Sequence, residues 1–399
     1  MQSRHQHIDR RFALIAAGVT LVIVYGSLYP FHFRRPPRLA GALLTLISTW
    51  RGPFGRGDFI ANVLLYLPLG LFWVPALRRM KRIAGIALTV FLGFALSLCI
   101  ELLQFYEPAR VSALADVYAN VIGVSVGSVA GAILFWRTRQ RAALPRAIRQ
   151  RPFVVLLLAC WFGYRLFPFV PVIDLHKYWG ALKPLIFSPV LSSLDLYRHA
   201  VMWLAVGLLL EALIGIGRSR VALPALILIV LFARILLMGA TLSPAETLGG
   251  ALAALAWVAF ISHLRARAQV IAVLFAGAVA VEALNPFHFS PIARPFGWLP
   301  FRSFLYGSVE VNIRSFLEKA FTYGALVWLI ARTGRTLRVA VILGGGLVLC
   351  LRLAQVFLPG RSAEITDVIM LLLVSGVMKL TEEDPNGTRD LPAALTVER

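Results

Sequence analysis

Apolar stretches broken by short polar or basic segments recur from Phe12 to Leu380. Each runs for roughly 17–22 residues, which as a helix crosses a hydrocarbon core of about 30 Å. The pattern predicts twelve spans, at 12–30, 58–76, 83–106, 113–136, 153–169, 196–216, 220–239, 246–262, 269–285, 313–331, 337–357 and 364–380. The expected fold class is therefore all-α, a polytopic transmembrane helix bundle of about twelve helices. No stretch is left over for a soluble catalytic domain.

The polar positions inside this pattern repeat. IELLQFYEPARVSALADV, Ile100 to Val117, returns without a gap as LRLAQVFLPGRSAEITDV, Leu351 to Val368. Gln104 and Gln355, Pro108 and Pro359, Arg110 and Arg361, and Asp116 and Asp367 fall on the same positions. An aromatic-proline motif occurs three times: YPFHF at Tyr29 to Phe33, FPFVP at Phe167 to Pro171 and NPFHF at Asn285 to Phe289. About 26 to 28 residues after each proline a polar helix opens, at Asp58, Asp195 and Asn312, and each of these segments ends on a glycine, Gly70, Gly207 or Gly324. Self-similarity of this kind predicts three four-helix units. They cover 1–136, 152–262 (a degenerate copy) and 268–380 (a partial one), before an acidic, Pro-bearing tail, 381–399, expected to be disordered.

Composition agrees with the membrane assignment. Of 399 residues 59% are hydrophobic and 15% charged, and mean hydropathy is +0.78. The formal charge of +21 would suggest nucleic acid in a soluble protein. Here the basic residues gather in short loops, Arg78 to Arg82 and Arg137 to Arg151 among them, and no basic segment outside the spans interleaves with stacking aromatics. They read as topology signals that keep both termini in the cytoplasm, and no nucleic-acid partner is expected. Cys99, Cys160 and Cys350 lie in apolar spans without paired or metal-type spacing. The segment from Arg4 to the run beginning at Phe12 has the outline of a signal sequence but no small-x-small cleavage site, so it reads as a retained first helix.

Polar groups in lipid are costly and mark function or architecture. Glu101 and Gln104 are three residues apart, and Asp58 and Asn62, like Asp116 and Asn120, four apart, so each pair shares one helix face. Three such faces can converge on one cavity, with Arg110 on the connecting turn as counter-charge. The ligand-binding candidates are thus Asp58, Asn62, Glu101, Gln104, Arg110, Asp116 and Asn120. The competing reading is that these groups pin helices together by interhelical hydrogen bonds. Arg352 stands opposite Glu101, and Arg234 is the equivalent residue of the second unit; with Gln355, Arg361 and Asp367 they form a secondary set. Two arginines in place of a carboxylate suit an anionic lipid head group. Glu318 and Lys319 are adjacent, point to different faces and cannot pair with one another. His32 and His288, after prolines at the membrane edge, read as interfacial packing. No HExxH, GxSxG, Walker loop or Cys/His cluster is present, so catalytic residues, metal and cofactor are all expected to be none.

The ordered motifs D-x-x-x-N-x-x-L-aromatic-x-P-x-G (Asp58, Asn62, Tyr66, Pro68, Gly70), S-x-x-x-E-x-x-Q (Ser97, Glu101, Gln104), P-x-R (Pro108, Arg110) and D-x-x-x-N with a following glycine (Asp116, Asn120, Gly123) resemble the VanZ-like family. The resemblance spans Ser27 to Phe135, is partial in the third unit and survives only in outline in the second. It implies a multi-pass protein of the bacterial cytoplasmic (inner) membrane with a role in the cell envelope, similar to the one associated with resistance to teicoplanin-type lipoglycopeptides. This chain is longer than the single-unit family form, and the envelope role is what carries over. The leading expectation is a non-enzymatic protein that binds an anionic lipid or lipid-linked glycan in an outward-facing polar cavity, its partners being membrane lipids and lipid-linked cell-wall intermediates. A secondary transporter or lipid flippase is the alternative, although an even number of spans per unit gives parallel rather than inverted repeats. An intramembrane transferase using Glu101 or Asp116 as general base is the third.

Overall fold

The computed structural model describes residues 10–34, 41–49, 56–77, 80–108, 110–136, 151–187, 191–237, 241–305 and 309–381. Among them are fourteen α-helices: α1 (Arg10–Leu28), α2 (Gly41–Ser48), α3 (Arg56–Ala76), α4 (Arg82–Gln104), α5 (Leu114–Trp136), α6 (Pro152–Leu166), α7 (Leu175–Phe187), α8 (Ser193–Ile214), α9 (Ile216–Leu236), α10 (Pro244–Ala259), α11 (Arg267–Leu284), α12 (Val309–Arg332), α13 (Leu337–Ala354) and α14 (Thr366–Thr381). Each of the twelve expected spans coincides with one of them. Within the described residues seven stretches, in α4, α5, α8 to α11 and α13, are long and apolar enough to cross a membrane, and α1, α3 and α6 carry shorter apolar segments. The chain is a multi-pass, all-α membrane protein. The expected span at 313–331 is helical but carries Arg314, Glu318 and Lys319 in its first half, which lowers its hydropathy. Residues 78–79 and 137–150 of the basic loops, and 382–399 of the expected disordered tail, lie outside the described residues.

Two helices occupy segments expected to be loops. α2 buries Ala42 and Leu46 and packs on α4, leaving Leu43, Leu44 and Ile47 exposed. α7 packs on α9 and exposes Leu175, Trp179 and Phe187. Both are short stretches with apolar residues at helical spacing, the pattern of helices that lie in a membrane interface.

The chain forms two compact units, 1–144 and 145–399. In the first, α3 and α5 lie closest together. They meet backbone to backbone: a Cβ on Gly127 would sit 2.0 Å from the carbonyl oxygen of Leu67, and one on Gly70 would sit 2.2 Å from that of Val124. Small residues at four-residue spacing, Gly123, Gly127 and Gly131, thus set the helix separation. Around them Ile23, Leu28, Tyr66, Leu69, Ile100 and Val124 make the apolar core.

The expected second and third units share one compact body. α6 packs on α12 and α11 on α8, so the first helix of each expected unit lies against the second helix of the other. Trp161 meets Trp203, Tyr164 meets Phe321, and the Tyr197 hydroxyl donates to the Leu274 carbonyl at 2.7 Å. Fully buried Trp161, Trp203, Trp257, Phe275 and Phe321 fill the centre. Exposed Leu228, Ile229, Phe232, Val273 and Ile342 cover the outside, as helices in contact with lipid require.

At each aromatic-proline motif the chain leaves its helix in the same way. The X–Pro peptides at Pro30, Pro168 and Pro286 are cis, and the next residues, Phe31, Phe169 and Phe287, have φ of 64°, 60° and 62°. Their N–H groups bond back to the carbonyls of Leu28, Leu166 and Leu284.

Candidate functional site

In the first unit the seven candidate residues gather at one end of α3, α4 and α5 and divide into two groups. Gln104 and Arg110 hold backbone. The Gln104 Nε2 donates to the Ser27 carbonyl at 2.8 Å, and Arg110 donates to the carbonyls of Gly26 at 2.8 Å and Tyr29 at 3.2 Å. These are the carbonyls that α1 leaves unsatisfied where the proline motif ends it. Arg110 was expected as counter-charge to the carboxylates; its guanidinium clamps the turn instead, because helix-end carbonyls within reach need donors.

Asp58, Asn62, Glu101, Asp116 and Asn120 form the second group. Asp58, in the first turn of α3, is exposed; Asn62 and Asp116 are half-buried, with Asn62 within hydrogen-bonding reach of the Asp116 carboxylate and Asp58 next to them. Behind them Glu101 and Asn120 are 2% and 3% exposed. Glu101 accepts the Ala113 N–H at 2.9 Å and so caps the entry to α5. Asn120 donates to the Ser97 Oγ at 2.9 Å, and its own Oδ1, also buried, has no hydrogen-bond partner among the described residues; the buried Tyr66 hydroxyl lies within reach of the same serine. The group thus grades from an exposed carboxylate to deep polar atoms that still have bonding capacity. Sequence reasoning missed Glu107, which is 2% exposed and accepts the His32 N–H at 2.6 Å. Its position aligns with Leu358, so the repeat gave no sign of it, but a carboxylate between apolar runs was itself a signal.

The secondary set lies in the second compact unit, 145–399, which holds both the second and third expected repeats. Gln355 donates to the Ala283 carbonyl at 2.7 Å and Arg361 to the Asn285 carbonyl at 2.8 Å, each three or one residues before Pro286, as Gln104 and Arg110 do before Pro30. Gln104→Leu and Gln355→Leu are each expected to cost about 1–2 kcal/mol by leaving a helix-end carbonyl unpaired. Denaturant unfolding in detergent reads this; wild-type stability in both variants would show that the clamp does not hold.

Arg352, in the place of Glu101, reaches the other way. It pairs with Asp367 and donates to Gln355 Oε1 at 2.6 Å and the Tyr323 hydroxyl at 2.9 Å, while Lys319 pairs with the same Asp367 at 2.7 Å. Arg234 pairs with Glu246 at 2.9 Å, and Arg165 pairs with the same carboxylate. Arg198 pairs with Glu282 at 3.2 Å and with Glu318 at 2.8 Å. The separate partners of Glu318 and Lys319 follow from their different helix faces. Arg234, Arg352 and Asp367 are therefore held in ionic contacts the sequence did not specify, while Gln355 and Arg361 hold backbone. Among the described residues no group of three or more His, Cys, Asp or Glu is placed to hold a metal ion.

No curated protein and no solved structure matches the chain. A match to the VanZ/LLP1 family model covers residues 5–136, the segment holding α1 to α5 and all seven first-unit candidates, and the protein thus carries a VanZ-like domain as its N-terminal unit.

Proposed function

We propose that the protein is a non-enzymatic component of the bacterial cell envelope, set in the cytoplasmic membrane with both termini inside, that binds the head of a lipid-linked glycan or anionic lipid in the first-unit polar group. The observation that supports it is the graded set running from Asp58 through Asn62 and Asp116 to Asn120, whose Oδ1 is buried and has no hydrogen-bond partner among the described residues. A buried polar atom without a partner costs about 1–3 kcal/mol, and a ligand hydroxyl that reached it would recover that cost. Carboxylates and amides side by side match the donors and acceptors of sugar hydroxyls, so the glycan portion is the part the group fits best. The proline turn that occurs three times, with its Gln and Arg clamp at the first and third, supports descent of the chain from three copies of one four-helix unit.

The test uses purified full-length protein in nanodiscs, titrated with a prenyl-pyrophosphate disaccharide and with the same lipid lacking the sugar. Asp116→Asn and Asp58→Asn are expected to weaken binding of the sugar-bearing lipid at least about tenfold, the equivalent of one lost charged hydrogen bond. Equal affinity for the sugar-free lipid, or wild-type affinity in both variants, removes the glycan assignment.

A further inference from the structure

A cavity of 130 Å³ opens in the second unit between the start of α8, the end of α11 and the turn before α14. Its lining is Leu194, Asp195, Arg198, Val281, Glu282, Asn285 and Arg361. Two cations and two carboxylates therefore face one space large enough for a head group rather than a single water. Arg198 and Glu282 keep 31% and 37% of their side-chain surface open although they pair with each other. The Arg361 Nε donates to the Asn285 carbonyl, and among the described residues neither terminal nitrogen donates a hydrogen bond, so both remain available as donors. The opening of α8 presents the positive end of a helix dipole and the close of α11 the negative end of another.

The cavity also borders a chain turn suited to the membrane interface. The aromatic-proline turn that follows α11 exposes Phe287 and Phe289, and the one that follows α6 exposes Phe169, residues suited to the membrane interface. Glu318 on α12 and Arg352 on α13 are close enough to act on Glu282, and a second, smaller cavity shares Arg198 and is lined by Arg165 and His199 as well. Both signs of charge thus recur around this end of the unit.

We propose that this cavity seats a zwitterionic phospholipid head group of the phosphoethanolamine class, its phosphate against Arg198 and Arg361 and its primary ammonium against Glu282 and Asp195. A simple anionic head group would meet two carboxylates with nothing to offer them. A quaternary ammonium could not donate hydrogen bonds to those carboxylates, and the lining contains no aromatic ring to take it by its face. The site is separate from the first-unit glycan site and does not depend on it.

Full-length protein in vesicles of mixed phosphatidylethanolamine, phosphatidylglycerol and phosphatidylcholine, released into native mass spectrometry, tests the assignment. Wild type is expected to retain phosphatidylethanolamine about tenfold over the other two, as loss of one charge-assisted contact implies. Glu282→Gln and Asp195→Asn should each abolish that preference while phosphatidylglycerol retention holds. Arg198 keeps Glu318 in the first variant, and the second alters an exposed group, so at least one folded variant is available. Soluble glycerophosphoethanolamine should displace the retained lipid. Equal retention of the three lipids, an unchanged preference in both variants, or no displacement by the soluble head group would overturn the proposal.

Discussion

Glu246→Ala is expected to destabilise the second unit by about 3–5 kcal/mol, the largest effect of any single substitution proposed for this protein. Glu246 has 4% of its side chain exposed and is the carboxylate for two guanidiniums, Arg165 and Arg234, themselves 9% and 11% exposed. Removing it strands two buried cations, whose pairing was the condition for burying them. The Ser243 hydroxyl accepts the backbone N–H of residue 246, a bond that alanine keeps, so the loss reports charge rather than helix capping. Glu211→Ala is the comparison. The guanidinium it leaves without its carboxylate, Arg267, is 29% exposed and lies at the other end of α8, where about 1 kcal/mol is expected. Unfolding of both variants by denaturant in the same detergent gives the contrast, and a Glu246→Ala loss no greater than that of Glu211→Ala would show that the buried pairs are already solvated.

Gly127→Val should disrupt the first unit by about 3 kcal/mol or more. Even the first carbon of any side chain would meet the Leu67 carbonyl oxygen at 2.0 Å and the Leu71 nitrogen at 3.0 Å. These are backbone atoms, which cannot turn away as a side chain can, so α5 would have to move off α3 and carry Asp116 and Asn120 from Asp58 and Asn62. Gly346→Ala is the opposite case. Nothing lies within 4 Å of a Cβ there, and the helix interior gains about 0.5–1 kcal/mol from losing a glycine. If Gly127→Val and Gly346→Ala unfold alike, the close approach of α3 and α5 does not determine stability.

The helices were legible because lipid leaves the chain few choices. A run of apolar residues had to be a helix, and the twelve expected spans agree with observed helices to within a few residues at most ends. α2 and α7 were not legible, since eight and thirteen residues fall short of the length that announces a span. Among the site residues, the positions of Glu101, Gln104 and Arg110 were readable from spacing, but their partners were not. Gln104 and Arg110 bond to carbonyls at 26, 27 and 29, far away in sequence and without side-chain identity, so no pattern of residue types could reveal them. Arg352 was noticed as a replacement for Glu101, yet its partner, Asp367, became evident only when α13 and α14 were side by side. Pairing across helices depends on rotation about helix axes, which composition and period leave open.

The crossing of α6 onto α12 and α11 onto α8 has a consequence for how the chain is made. A ribosome delivers α6 on the order of 150 residues before α12, an interval of roughly ten to thirty seconds at about 5–20 residues per second. Through that interval α6 sits in the bilayer without its main packing partner, and Arg165 waits for Glu246, which is itself synthesised later. The early helices therefore stay in the bilayer with that flank open until the late ones arrive. A nascent chain cut short after α10 would hold its Arg165–Glu246 pair but present the α8 surface made for α11 as an open flank, the form most exposed to quality-control proteolysis.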